Sequence, residues 1–230
     1  MADTLHIGDH AYSSWSLRAW LLFEKFDLAV ETRLVPFDGD QSVGEQMAVA
    51  PPSRTVPTLV TADGTVIWDS LAIAEEVHAR HPEAGIWPAD PAARAFARAL
   101  AAEMHSGFSA LRTDCPMALR VAYAGFQPSE AVRGDLARID TLWRLGLDRF
   151  GGPWLVGAYS AADAFFAPVA ARIATYDLPV SPEAQAYVGR HLADPAFRAW
   201  RRTGLSQGND LPWYAKDLPT RPWPGPEEEV

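Results

Sequence analysis

Cysteine is almost missing from this chain: Cys115 is the single one among 230 residues. One thiol cannot build an internal disulfide framework, and its isolation fits a reducing compartment. Basic residues are also scarce, 20 Lys and Arg against 29 Asp and Glu, and they form no run. A net charge of −9 without a basic stripe excludes the usual nucleic-acid footprint and a polybasic membrane surface. No apolar stretch approaches the ~20 residues that cross a bilayer. The start, Met1-Ala2-Asp3-Thr4, has neither the basic residues nor the apolar core of a secretion signal. The expected location is the cytoplasm, with no membrane or nucleic-acid partner. The six histidines show no paired ligand spacing with Cys or a carboxylate, so no metal is expected. Gly-rich phosphate loops, internal repeats and low-complexity tracts are absent as well.

What the chain does have is a polar turn, Tyr12-Ser13-Ser14-Trp15-Ser16-Leu17-Arg18, running into a helix that is apolar nearly all round. Thr4-Leu5-His6-Ile7 before it reads as a strand closed by Gly8-Asp9-His10. The first amides of a helix lack backbone acceptors and the dipole is positive there, so an anion such as a thiolate is stabilised beside Ser13 to Ser16. Ser13-x-x-Ser16 sits where a thioredoxin-type protein carries Cys-x-x-Cys, and without sulfur disulfide exchange is not expected. Taken singly, a hydroxyl at a helix start is an ordinary N-cap.

Further along, strands are expected over 30–35, 56–60 and 65–68, with a short helix near 44–48 and a hairpin at Ala62-Asp63-Gly64-Thr65. Asp69-Ser70 opens another helix, and the order of elements describes a small α/β unit over residues 1–80. Residues 81–90 carry turn chemistry and read as a linker. Asp90-Pro91, Ser181-Pro182 and Asp194-Pro195 are cap-then-proline starts, and Ser160-Ala161-Ala162-Asp163 resembles a capping box. An all-α domain over 91–205 follows, with helices near 91–122, 129–150, 161–176, 182–192 and 195–203. From Ser206 to residue 230 the chain reads as an irregular tail that frays at Glu227-Glu228-Glu229.

This combination of hydroxyl turn, Val56-Pro57 before a strand and Asp69-Ser70 at a helix start resembles the cytosolic glutathione transferase family over nearly the whole chain. The turn is most similar to Ser-Ser-Cys-Ser-Trp-Arg of the zeta class, which includes maleylacetoacetate isomerases and their bacterial relatives. Trp15 stands where that motif has cysteine. The resemblance implies a thioredoxin-like N-terminal domain, an all-α C-terminal domain, a homodimer, and glutathione as co-substrate without a metal. It makes Ser13 the residue that holds the thiolate. Ser14, Val56, Pro57, Asp69 and Ser70 become glutathione-binding. The peptide bond before Pro57 should be cis, which is cheap only for X–Pro. Backbone groups of Val56 then dock the cysteinyl part as a short strand. Ser70 and the helix start suit the γ-glutamyl carboxylate, while Asp69 suits its ammonium. Alone, Val-Pro is an ordinary strand start and Asp-Ser a routine cap.

Arg98, His105 and Arg112 recur every seven residues on the expected 91–122 helix. One face therefore mixes them with Met104, Phe108 and Cys115, either as an interface or as part of an acceptor pocket. Ser16, Arg18, His105, Phe108 and Arg112 are candidates for the acceptor side or its support. The implied activity is Ser-assisted conjugation of glutathione to a small hydrophobic electrophile. Two alternatives stay open: a glutathione-dependent cis–trans isomerase of the maleylacetoacetate type, and a non-catalytic carrier or docking module on the same fold.

Overall fold

The computed structural model describes residues 2–226. Its first strand, β1 (Thr4–Ile7), is central in a four-stranded sheet of order β2-β1-β3-β4. β2 (Glu31–Leu34) runs parallel to it, β3 (Thr58–Val60) runs antiparallel to it, and β4 (Val66–Trp68) runs antiparallel to β3. Leu5 and Ile7 are buried, as is Leu59 opposite Leu5, so the two-residue side-chain period aims one face at the core. Helices α1 (Ser14–Glu24) and α3 (Ser70–Arg80) complete a thioredoxin-like unit. Val56 and Pro57 precede β3 instead of beginning it. The short helix expected near 44–48 is α2 (Val43–Gln46), started by a capping box from Ser42 and Glu45 and followed by a 3-10 turn at Met47–Val49.

The remainder is mostly helical. The single helix expected over 91–122 is instead two, α4 (Pro91–Ser106) and α5 (Ser109–Asp114). Gly107 and Phe108 break it, Phe108 lying at φ 55 in the left-handed region. A Cβ at Gly107 would stand 2.7 Å from the Glu103 carbonyl oxygen, a contact only glycine avoids. Arg112 Nη1 donates to the carbonyls of His105 and Gly107, at 3.3 Å each, and closes the end of α4. Cys115-Pro116 then stops α5. Helix α6 (Glu130–Phe150) buries Val132, Leu136, Ile139 and Trp143, the spacing of an amphipathic helix.

Helix α7 (Ala161–Tyr176) is buried along its whole length and touches α1, α4 and α8 (Pro182–Ala193), so it is the axis of the molecule. Phe165 and Phe166, both fully buried, each contribute roughly 1.5–3 kcal/mol of burial. Asp163 in its first turn accepts from Ser160 N and Oγ, Leu155 N and the Tyr187 hydroxyl, while burial pushes its pKa up to about 6. Helix α9 (Pro195–Ser206) packs beneath the hydroxyl turn. The second half is not purely helical: β5 (Ala122–Tyr123) pairs with β6 (Thr220–Arg221) in the tail. Two-residue strands carry no legible alternation, and the tail is tied down by this ladder. Glu227-Glu228-Glu229 lies outside the described residues.

Buried histidines give the fold an expected acid limit. Burial pushes His191 down to about 3 and His10 to about 4. Unfolded, both would protonate near 6.5, so the unfolded chain binds more protons as pH falls through 6.5 toward 4, and stability drops. Asp163 acts oppositely between about 6 and 3.8 and offsets part of the loss. The midpoint of urea unfolding should therefore fall from pH 7 to pH 4.5, and less steeply in His191→Phe. An equal slope in both proteins would show that His191 is not the group responsible.

Candidate active site

The hydroxyl turn is held from several directions. Tyr12 N and Ser13 N donate to the Asp9 carbonyl at 3.1 and 2.7 Å, and Leu119 N donates to Ala11 O at 3.0 Å. Trp200 Nε1 in α9 donates to His10 O at 2.6 Å. At Gly8 a Cβ would lie 3.0 Å from Ser13 Oγ and 2.4 Å from the tip of the Phe37 ring, so any larger residue would have to displace Phe37 from the turn.

Ser13 occupies the N-cap of α1, yet its side chain makes no cap bond. The ordinary N-cap reading therefore fails for its hydroxyl. Ser13 Oγ donates to Ser16 Oγ at 2.7 Å, and Ser16 Oγ accepts from Gly8 N at 2.9 Å. Ser16 is fully buried and stands behind Ser13. Ser14 Oγ accepts from Arg172 Nη2 at 3.2 Å. Arg172, on α7, also donates to the carbonyls of Cys115 and Pro168. Ser13, Ser14, Arg112 and Arg172 line a cavity of about 400 Å³ with Tyr12 and Tyr214.

A second cavity, of about 390 Å³, is lined by Trp15, Thr55, Val56, Pro57, Trp68, Asp69 and Ser70. Trp15 and Val56 border both cavities, so the two lie on either side of the indole. The Val56-Pro57 bond is cis. Asp69 sits at φ 80, a strained conformation for a residue with a Cβ. Its Oδ1 caps Leu71 N at 2.8 Å, so the cap reading holds here, while Oδ2 is 3.2 Å from His105 Nε2. Ser70 Oγ is buried and has no hydrogen-bond partner among the described residues. An orphaned hydroxyl at a helix N-terminus, in the wall of a cavity, is a group waiting for an acceptor.

The Arg98, His105, Arg112 line does not survive the break at Gly107. Arg98 pairs with Glu75 on α3 through both Nε and Nη2. His105 turns to Asp69, and only Arg112 reaches the 400 Å³ cavity. Phe108 belongs to the buried core, and Arg18 is fully buried with no hydrogen-bond partner for its guanidinium among the described residues. That guanidinium lies 4.5 Å from the Trp15 ring and 5.2 Å from Phe165, and Arg112 lies 4.7 Å from Trp15, so the indole is held by two cations. Burial, and then the neighbouring Arg172 and Arg112, lower the Arg18 pKa; burial, with Arg112, brings Arg172 to about 10. Asp69 is the carboxylate that opposes them at Arg18. In a protein of net charge −9, this corner is locally positive.

Tyr12 and Trp15, part of the turn singled out in the sequence but given no role there, line the candidate site with Arg172 and Tyr214, which the sequence reading missed. Arg172 had a signal: one guanidinium in an otherwise apolar helix must find partners or line a wet cavity. Tyr214 had none, because nothing local shows which loop a tail will cross.

Comparison with known proteins follows the same lines. Residues 12–80 match the glutathione S-transferase N-terminal domain. A probable maleylacetoacetate isomerase from Caenorhabditis elegans is 30% identical over 190 residues, covering 81% of this chain and 86% of that protein. The maleylacetoacetate isomerase of Rattus norvegicus is 26% identical over 74% of this chain and 77% of its own. A glutathione transferase homolog from Burkholderia gl BGR1, solved with bound glutathione, superposes with a TM-score of 0.68 at 26% identity, covering 90% of this chain and 100% of that one. No group of His, Cys, Asp and Glu suited to a metal ion exists among the described residues, and no described helix is long and apolar enough to cross a membrane. The chain belongs to the glutathione S-transferase family and is related, within it, to the maleylacetoacetate isomerases.

Proposed function

We propose that the protein binds glutathione in the cavity between Val56-Pro57 and Asp69-Ser70 and adds its thiolate to an electrophile carrying a carboxylate. The observation that carries the first half is the orphaned Ser70 hydroxyl at the start of α3. It suits the γ-glutamyl carboxylate, with the positive end of the α3 dipole beside it. Asp69 suits the γ-glutamyl ammonium and is itself oriented by Leu71 N and His105. Val56 borders both cavities, which suits a cysteinyl group lying along it with sulfur at the Ser13 turn. A thiol of pKa ~8.5 is mostly protonated at neutral pH. A hydroxyl donor, the helix start and nearby guanidinium groups all favour its thiolate.

Ser70→Ala is expected to weaken glutathione binding by ~1–3 kcal/mol, the loss of one charge-assisted bond, with a smaller effect on kcat. Titration calorimetry reads this directly. Unchanged affinity would remove glutathione from this cavity.

Arg112, an acceptor-side candidate from the sequence, lines the 400 Å³ cavity together with Arg172. That favours a carboxylate-bearing acceptor and gives support to a second reading, isomerisation of a maleylacetoacetate-like diacid. There the thiolate adds to the cis double bond, the resulting single bond rotates, and the thiolate leaves to give the trans olefin with glutathione unchanged. In conjugation, glutathione is consumed and a thioether accumulates. Following free thiol during turnover of a maleyl-type acid separates the two. The same reading makes the protein a cytoplasmic homodimer, which sedimentation at micromolar concentration tests.

A further inference from the structure

Of the two guanidinium groups in the wall of the 400 Å³ cavity, Arg112 is the one with donors to spare. Each nitrogen of Arg172 already donates within the protein, Nε to Cys115 O at 2.9 Å, Nη1 to Pro168 O at 3.3 Å and Nη2 to Ser14 Oγ at 3.2 Å. Arg112 is half-buried and bonds through Nη1, to the carbonyls of His105 and Gly107 at 3.3 Å each. Among the described residues no carboxylate pairs with it, which leaves Nε and Nη2 for an acceptor. Two long bonds from one terminal nitrogen do not fix the plane of so flexible a side chain. The remaining contact is the Trp15 ring, whose centroid is 4.7 Å from the Arg112 guanidinium carbon.

That ring is itself buttressed. It stands in the first turn of α1, with the fully buried Arg18 guanidinium 4.5 Å from its centroid. The His105 ring meets it edge-on at 5.1 Å and 83°, and His105 is tied to Asp69. A side chain that merely filled space would be surrounded by alkyl groups; this indole instead meets two cations and an imidazole, in the wall of both cavities. The two guanidinium groups repel each other, and the electron-rich ring they share offsets that repulsion. Without the indole, repulsion from Arg18 would turn Arg112 out of the cavity wall.

We infer that Trp15 is the positioning residue of the acceptor side: its indole fixes the Arg112 guanidinium in the cavity wall and thereby gives the site its preference for carboxylate-bearing electrophiles. The inference rests on the proposed function and adds to it the residue through which Arg112 becomes selective. Cysteine, which the motif resembling this turn carries at the same place, offers no ring to hold a cation. Because Trp15 acts through Arg112, its effect on charge selection requires the Arg112 charge to be present.

The test compares kcat/KM for monomethyl maleate, an anion, with that for the neutral dimethyl maleate, using the full-length protein at saturating glutathione. In Trp15→Leu the acid-to-ester ratio is expected to fall roughly fivefold or more, chiefly through KM for the acid, while the ester stays within about threefold of wild type. Trp15→Tyr keeps a ring that holds a cation and should keep the ratio within about twofold. Trp15→Phe, with the weaker face, should fall between them and takes the place of Trp15→Leu throughout if leucine impairs folding. In an Arg112→Gln background the same Trp15 substitution should change the ratio by less than about twofold. Equal losses for acid and ester, or the same fall with and without the Arg112 charge, overturn the inference and make Trp15 a packing residue. A ratio left unchanged by Arg112→Gln alone shows instead that the carboxylate reading of the acceptor has failed, and the inference falls with it.

Discussion

Ser13→Ala is expected to lower kcat/KM by roughly 10²–10³, the loss that follows removal of one preorganised donor to a developing or resident anion. The side chain is free for that task because it caps no amide of α1. Its hydroxyl lies in a relay from Gly8 N through Ser16 Oγ. Hydroxyl hydrogens rotate, so Ser16 can donate to Ser13 while still accepting from Gly8, which leaves the Ser13 proton for sulfur. Ser16→Ala should then cost less than Ser13→Ala, because it weakens the donor without removing it. In Ser13→Ala the rising, acid limb of the pH–rate profile should move up toward the ~8.5 of a free thiol, with the melting temperature little changed. Ser14 is the built-in rival: Arg172 donates to its oxygen and leaves its proton uncommitted. Ser14→Ala as the damaging change, with Ser13→Ala near wild type, would move the role to Ser14.

What was legible in the chain, and what was not, follows from the range of the interactions. The strand, turn and helix around Ser13 are written locally, in Gly8, the serines and an apolar run, and they fold where expected. Asp69-Ser70 and the capped starts at Pro91, Pro182 and Pro195 are equally local, each a side chain serving amides two or three residues away. The break at Gly107 was not legible, because an isolated glycine in a helical pattern is tolerated and the seven-residue recurrence of Arg98, His105 and Arg112 masks it. Only tertiary partners, such as Asp135 Oδ2 accepting from Leu111 N, favour restarting the helix there. The acceptor wall is likewise written across the chain: Arg172 meets Ser14 from 158 residues away and Leu211 N meets Tyr12 from 199 away.

Arg112→Gln is expected to lower kcat/KM for carboxylate-bearing acceptors by roughly 10–10², since a hydrogen bond to a charged group is worth about 1.5–3 kcal/mol. A neutral acceptor of the same shape should lose less than about threefold, a change under ~0.7 kcal/mol. Arg112 lies against Trp15 and beside Arg172, and burial lowers its pKa, so the group is already partly desolvated before a substrate arrives. An incoming carboxylate thus replaces little hydration and relieves repulsion among three guanidinium groups. Glutamine removes the charge but is shorter than arginine, so the melting temperature is read beside the kinetics to separate the lost charge from a loosened end of α4. Arg172 is the less clean probe: its loss leaves the buried Cys115 carbonyl without its side-chain donor, and stability falls with activity. The comparison that decides is KM against kcat for matched anionic and neutral electrophiles in Arg112→Gln. A rise in KM confined to the anionic member identifies Arg112 as the residue that selects charge. Equal losses for both would make it a structural cap on α4 and would favour the small hydrophobic electrophile expected from the sequence.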